Sequence, residues 1–189
     1  MTPTIISRLR AGAGALAIAL ALPACSIDAP TGIGAAAFEP VVLDAITRYE
    51  PLAEDVTVTA TIGREGGTLT IPEAGLTVRV PPGAVAGPVT FTATARKGAI
   101  VAYDFGPSGS FSVPLEVTQD LYYTSWHHQA DLTDVFGGFY SGEGALDDAQ
   151  SKAAVSEVPP STVDVSNCEV TFAVSHFSGY VIATGRTLK

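Results

Sequence analysis

Thiols, thioether and indole are scarce in this chain: 189 residues hold two cysteines, one methionine and one tryptophan, with three histidines. Two cysteines rule out a multi-disulfide scaffold, so stability has to come from a packed interior, which a chain of this length can build as one domain. Paired-cysteine zinc spacing, a His-Glu-x-x-His helix, a phosphate-cradling glycine loop, a nucleophile elbow and a Ser-His-Asp order are all missing. Cations are scarce too. Ten Lys and Arg stand against 19 Asp and Glu, a net charge of −9. Phosphate backbones and anionic head groups repel such a chain, which argues against nucleic-acid binding and electrostatic membrane docking. The longest apolar run, residues 12–22, is about a dozen residues, short of the roughly 20 that cross a bilayer. Together these absences predict a protein that is not an enzyme and needs no cofactor or metal.

What is present begins at the amino end. Arg8 and Arg10 precede the apolar stretch from Gly12 to Leu22, the order of parts in an export signal. The following Leu22-Pro23-Ala24-Cys25 resembles the lipobox of bacterial lipoproteins, in which small residues admit the chain to a narrow protease site and the cysteine carries a diacylglyceryl group. Pro23 departs from the small, non-cyclic residue usual there, and plain secretion or a retained anchor are the competing readings. The resemblance implies a signal peptide over residues 1–24, lipid on Cys25 and a place in the bacterial cell envelope. Ser26 favours outer-membrane sorting where that membrane exists. The membrane is then a partner through lipid alone, beside an unidentified envelope protein. Cleavage would leave eight basic against 19 acidic side chains, a net charge of −11. Cys168 would have no cysteine to pair with, and its alternation with apolar neighbours predicts a small buried hydrophobe.

Residues 26–37 are mostly Ala, Gly, Pro and Thr without apolar period, as a flexible tether requires. Val42, Ala45, Ile46 and Tyr49 stand three and four apart, predicting a short helix over residues 38–49 that ends before Pro51. Tether and helix then fill residues 25–52, and the domain fills 53–189. From Val56 onward the period is two: Val56, Val58 and Ala60 face one side, Thr57, Thr59 and Thr61 the other. Strands are predicted at 56–61, 68–71, 76–80, 89–95, 99–105, 115–123, 135–140, 163–165, 169–174 and 179–184. Gly66-Gly67, Pro81-Pro82-Gly83, Gly87-Pro88, Pro107-Ser108-Gly109 and Pro159-Pro160 separate them as turns. Many short strands with closely spaced turns point to an all-β chain folded as an antiparallel β-sandwich or a partly closed barrel. Residues 141–156, rich in Gly, Ala and Asp, read as a long surface loop with a helical turn at 145–153.

Gly66-Gly67-Thr68-Leu69, followed by Leu76-Thr77-Val78-Arg79-Val80-Pro81-Pro82-Gly83-Ala84-Val85, resembles the signature of the ZU-five domain, the β-rich module of tight-junction scaffolds, netrin receptors and ankyrins. Paired prolines end a strand and fix φ, and Gly83 permits the reversal. Val174-Ser175-His176-Phe177-Ser178-Gly179-Tyr180 is similar to the closing strand of such domains. Phe105-Gly106-Pro107-Ser108-Gly109, with Phe111 and Pro114, resembles a connection found in bacterial lipoproteins that carry the module. The likeness spans about residues 63–184 and implies a β-sandwich used for protein contacts.

Three constellations invite chemistry. His176-Phe177-Ser178 matches a sequence that is cut between Phe and Ser in some adaptors with this module. Ser178 Oγ would attack the Phe177 carbonyl, His176 would assist proton transfer, and water would hydrolyse the ester. The plain alternative puts His176 at the last turn, Phe177 in the core and Ser178 at the start of a strand. Adjacent His127 and His128 beside Trp126 would point to opposite faces of a strand and so cannot share a metal ion, which favours a solvated loop. Asp131, Asp134, Glu143, Asp147 and Asp148 lack calcium-loop spacing, although a calcium- or carbohydrate-binding module built on the acidic segment between Tyr123 and Ser156 is a further reading. Tyr122, Tyr123 and Trp126 fit either a binding patch or the core.

Overall fold

The structure is a computed structural model and describes residues 39–128 and 134–185. The predicted signal peptide, Cys25, the tether through residue 37 and Asp131 lie outside the described residues. The period-two segments form antiparallel strands. In order these are β1 (Val41–Ala45), β2 (Thr47–Leu52), β3 (Val56–Ile62), β4 (Gly67–Ile71), β5 (Leu76–Val80), β6 (Val89–Ala95) and β7 (Gly98–Ile100). There follow β8 (Ala102–Asp120), β9 (Phe136–Tyr140), β10 (Leu146–Asp147), β11 (Lys152–Val155), β12 (Ser161–Asp164) and β13 (Glu169–Thr184). Short 3-10 turns at Pro72–Ala74, Ser125–His128 and Glu143–Ala145 are the only helical pieces among the described residues.

Two long strands organise the rest. The last part of β8 pairs with β5 on one side and with the start of β13 on the other, and β4 and β12 extend this half outward. The first part of β8 pairs with β6, beyond which lies β3, and with the end of β13. There β13 also receives β9 and β1, and β11 and β10 continue from β1. The sheet therefore folds over in a sandwich-like all-β architecture, and Ile62, Phe91 and Ala93 of one half meet Leu69, Val78 and Val117 of the other in one core.

The crossing between the halves is irregular. Residues 104–115 of β8 span the stretch of residues 174–179 of β13, with register shifts between Val174 and His176 and between Phe177 and Gly179. The inward residues of β13 are Val170, Phe172, Val174, Phe177, Tyr180 and Ile182. Two steps of three interrupt the period of two, and each is a bulge that bends the strand. Phe177 fills the bend, with its ring 5.5 Å from Phe91, 5.2 Å from Phe105 and 4.9 Å from Phe111. The turn expected at Pro107-Ser108-Gly109 is not a strand end: it is an exposed arch inside β8.

The Pro81-Pro82-Gly83 reversal is present, and it locks against a second turn. Gly83 N–H donates to the Arg64 carbonyl at 2.8 Å, while a Cβ on Gly66 would stand 2.5 Å from the Val80 oxygen. Both glycines sit at positive φ, 79° for Gly66 and 80° for Gly83, where only glycine is unstrained.

Four expectations need correction. The helix expected over residues 38–49 does not form over the described residues 39–49: Val41–Ala45 is a strand paired with β11 and β13, Thr47–Leu52 is a strand paired with β7, and this pairing outweighs a spacing that also suits a helix. Residues 41–52 thus belong to the folded body rather than to a tether. The helical turn expected at residues 145–153 does not form: the 3-10 turn at Glu143–Ala145 ends where it would begin, and β10 and β11 form a hairpin whose second strand pairs with β1. Cys168 is not inside a strand; it turns the β12–β13 hairpin at φ 55° and is half-buried. The strand predicted at 115–123 stops at Asp120, and Tyr122 and Tyr123 project into solvent.

Candidate functional site

A cavity of about 510 Å3 opens where β2, the Pro72–Ala74 turn, the end of β8 and the Tyr123-Thr124 loop converge. Its frame is fixed by backbone bonds. Asp120 N–H donates to Gly75 O at 2.8 Å, Gly75 N–H to Pro72 O at 3.0 Å, and Tyr49 N–H to Tyr123 O at 3.0 Å. Asp120 Oδ1 accepts the Tyr122 N–H at 2.8 Å, holding the start of the aromatic loop.

Arg48 lies at the floor and is 8% exposed. Its Nη1 donates to the carbonyls of Ile100 at 2.5 Å and Arg96 at 3.4 Å, and its guanidinium carbon is 5.7 Å from the centre of the Tyr103 ring. Its Nε and Nη2 have no hydrogen-bond partner among the described residues. Beside it the Tyr103 hydroxyl donates to Gln119 Oε1, and Gln119 Nε2 donates to Ala74 O at 3.0 Å. Burial pushes Tyr103 up to about 12, with Arg48 and Gln119 pulling the other way. The rim is different in kind: Tyr49 is 49% and Tyr123 72% exposed, and the carboxylates of Glu50, Glu73 and Asp120 are exposed beside them.

The structure disperses most residues that the sequence singled out. His176, Phe177 and Ser178 lie in the middle of β13, not at a last turn. Phe177 is buried, and His176 and Ser178 are half-buried. His176 Nε2 is 3.0 Å from Glu157 Oε2, its ring is edge-on to Phe139 at 5.1 Å, and its carbonyl accepts the Tyr180 hydroxyl at 3.0 Å. The Phe177-Ser178 bond does fall within the second register shift of β13, between Phe177 and Gly179. His127 and His128 lie in a 3-10 turn, where His127 is half-buried with its ring 4.5 Å from Tyr122. Trp126 is buried in the core, and its Nε1 has no hydrogen-bond partner among the described residues. Asp147 caps its own turn through Gln150 N at 3.1 Å, and no group of three metal-ligating side chains occurs among the described residues.

Of the aromatic group, Tyr123 alone reaches the cavity. Glu50, Glu73 and Gln119 are marked by no sequence pattern, since separate segments of the chain bring them together. The one sequence signal is Arg48 itself, a charge close behind the apolar Ala45-Ile46 pair. No protein-family model and no curated protein matches this chain.

Proposed function

We propose that this chain is a non-enzymatic binding module of the cell envelope, a ZU-five-like β-sandwich held to a membrane by lipid on Cys25, with the Arg48 cavity as its working surface. The lipobox-like Leu22-Pro23-Ala24-Cys25 supports the anchor. The observation that carries the binding reading is the cavity itself: an open, backbone-pinned site with an incompletely satisfied arginine below and exposed tyrosines above. Its floor favours holding over proton transfer. Arginine stays charged, glutamine does not titrate, and a tyrosine at about 12 keeps its proton at neutral pH.

The anchor is tested by expressing the full chain in a lipoprotein-processing bacterium with a radiolabelled fatty acid. The wild type should carry label and sediment with membranes, whereas Cys25→Ser should be unlabelled. Equal labelling of the two proteins would sink the anchor.

A further inference from the structure

One side of β3 is an open sheet edge. The strand pairs with β6 alone, in an unbroken register from Val56 opposite Ala95 to Ile62 opposite Val89, and it forms no ladder with β4, which follows it. At seven residues it is the longest described strand that pairs on one side only. Every second residue turns its backbone N–H and C=O away from β6, and these groups have no hydrogen-bond partner among the described residues. The open side also shows in the burial, because Val56, Val58 and Ala60 pack on the core yet stay half-buried. Edges that remain single are kept short, or are guarded by proline, charge or a bulge. Thus β12 has four residues, follows Pro159-Pro160 and ends on Asp164, and β4 has five and runs into Pro72. Val56–Ile62 carries no proline, bulge or charge, in a chain of net charge −9.

The strand is also complementary to itself. A second copy turned antiparallel about Thr59 sets Thr59 opposite Thr59, Thr57 opposite Thr61, Val58 opposite Ala60 and Val56 opposite Ile62, so hydroxyls meet on the outer face and aliphatic side chains on the inner one. Such threonine pairs already join β3 to β6, with the hydroxyls of Thr57 and Thr94 2.9 Å apart and those of Thr61 and Thr90 3.1 Å apart. The same register brings Glu54, just before the strand, opposite Arg64, just after it. Both are exposed, and neither has an ion-pair partner among the described residues. We propose that two copies of this chain join through their β3 edges in a symmetric dimer, with one sheet running across both copies and a Glu54–Arg64 ion pair at each end of the new ladder. Pairing uses up the open β3 side of each copy, so this assembly closes at two. The surface is separate from the Arg48 cavity and goes beyond the binding-module reading.

The test uses the full-length chain in density-matched detergent. Sedimentation equilibrium should give twice the protomer mass, with a dissociation constant below about 0.1 mM, because a ladder of this length is a small interface. Glu54→Lys or Arg64→Glu alone makes both ion pairs repulsive and should weaken the dimer about tenfold, and the double variant should restore it. Within one chain the two side chains stand about 30 Å apart along an extended strand, so restoration has to cross between copies. Thr59→Cys in a Cys168→Ser background should form a disulfide-linked dimer on oxidation with diamide, since directly opposed side chains lie within disulfide reach. Thr57→Cys should link to Thr61→Cys when the two proteins are mixed, but not to itself. Thr70→Cys, on the exposed face of β4, should not link, and Cys168→Ser alone is the blank. All these added cysteines replace exposed side chains, which leaves the fold intact. A protomer mass at every concentration up to about 0.3 mM, no restoration in the double variant, or equal linking by Thr59→Cys and Thr70→Cys would each overturn the proposal. None of these readouts involves the Arg48 cavity or the label on Cys25, so a failure here is distinct from a failure of the binding-module reading.

Discussion

Alkaline pH should unfold this protein through its buried tyrosines, and Tyr103 gives the clearest measure. Tyr103 is fully buried, its hydroxyl bonds to Gln119, and desolvation raises it from 10.0 to about 12. Below about pH 10 both folded and unfolded chains hold this proton, so stability is independent of it. Between about 10 and 12 the unfolded chain releases the proton and the native one retains it. The unfolded state then binds fewer protons, so stability falls as pH rises, by about 1.4 kcal/mol per pH unit and about 3 kcal/mol across the window. That is a large share of a typical total of about 5–15 kcal/mol. Tyr140 is raised by burial and then by Asp104, and Tyr180 by burial and then by Glu157, so both add loss of the same sign. Urea midpoints measured from pH 8 to 12 should be flat and then drop. Tyr103→Phe should lose about 1 kcal/mol at neutral pH, from the missing hydrogen bond, yet decline less steeply above pH 10. Parallel curves for the two proteins above pH 10 would refute the placement of that hydroxyl in the dry core.

Three further outcomes follow from the bend in β13. Phe177→Ala removes a ring that three phenylalanines surround and should cost about 3–5 kcal/mol in chemical denaturation, while denaturing mass spectrometry of the wild type should show Phe177-Ser178 uncut, with His176 held by Glu157. Release of the dozen residues after Phe177 would show that the strand is a cleavage site instead. Gly179→Ala would place a Cβ 2.6 Å from Tyr140 Cζ and should destabilise by about 1–3 kcal/mol; an unchanged melting temperature would mean that the ring has room to move.

The period of two from Val56 onward specified an all-β chain, because alternation fixes which residues face inward whatever strand they pair with. The turn signals Gly66-Gly67 and Pro81-Pro82-Gly83 located two glycines, Gly66 and Gly83, whose positive φ suits glycine alone. Tertiary structure decided what local pattern leaves open. Residues 41–52 carry spacing that suits a helix and β-branched residues that suit a strand, and distant partners selected the strand, β11 and β13 for Val41–Ala45 and β7 for Thr47–Leu52. Pro107-Ser108-Gly109 reads as a turn, yet it forms an arch within one long strand, since β13 runs past it on the other side. The cavity was beyond local reading for the same reason. Arg48, Glu73, Gln119 and Tyr123 have no spacing in common, and only the folding over of the sheet sets a buried guanidinium beneath exposed tyrosines. Sequence by itself determined the strand character and the acidic charge; pairing between distant segments determined the register, the bulges and the site, because those depend on which segment lies alongside which.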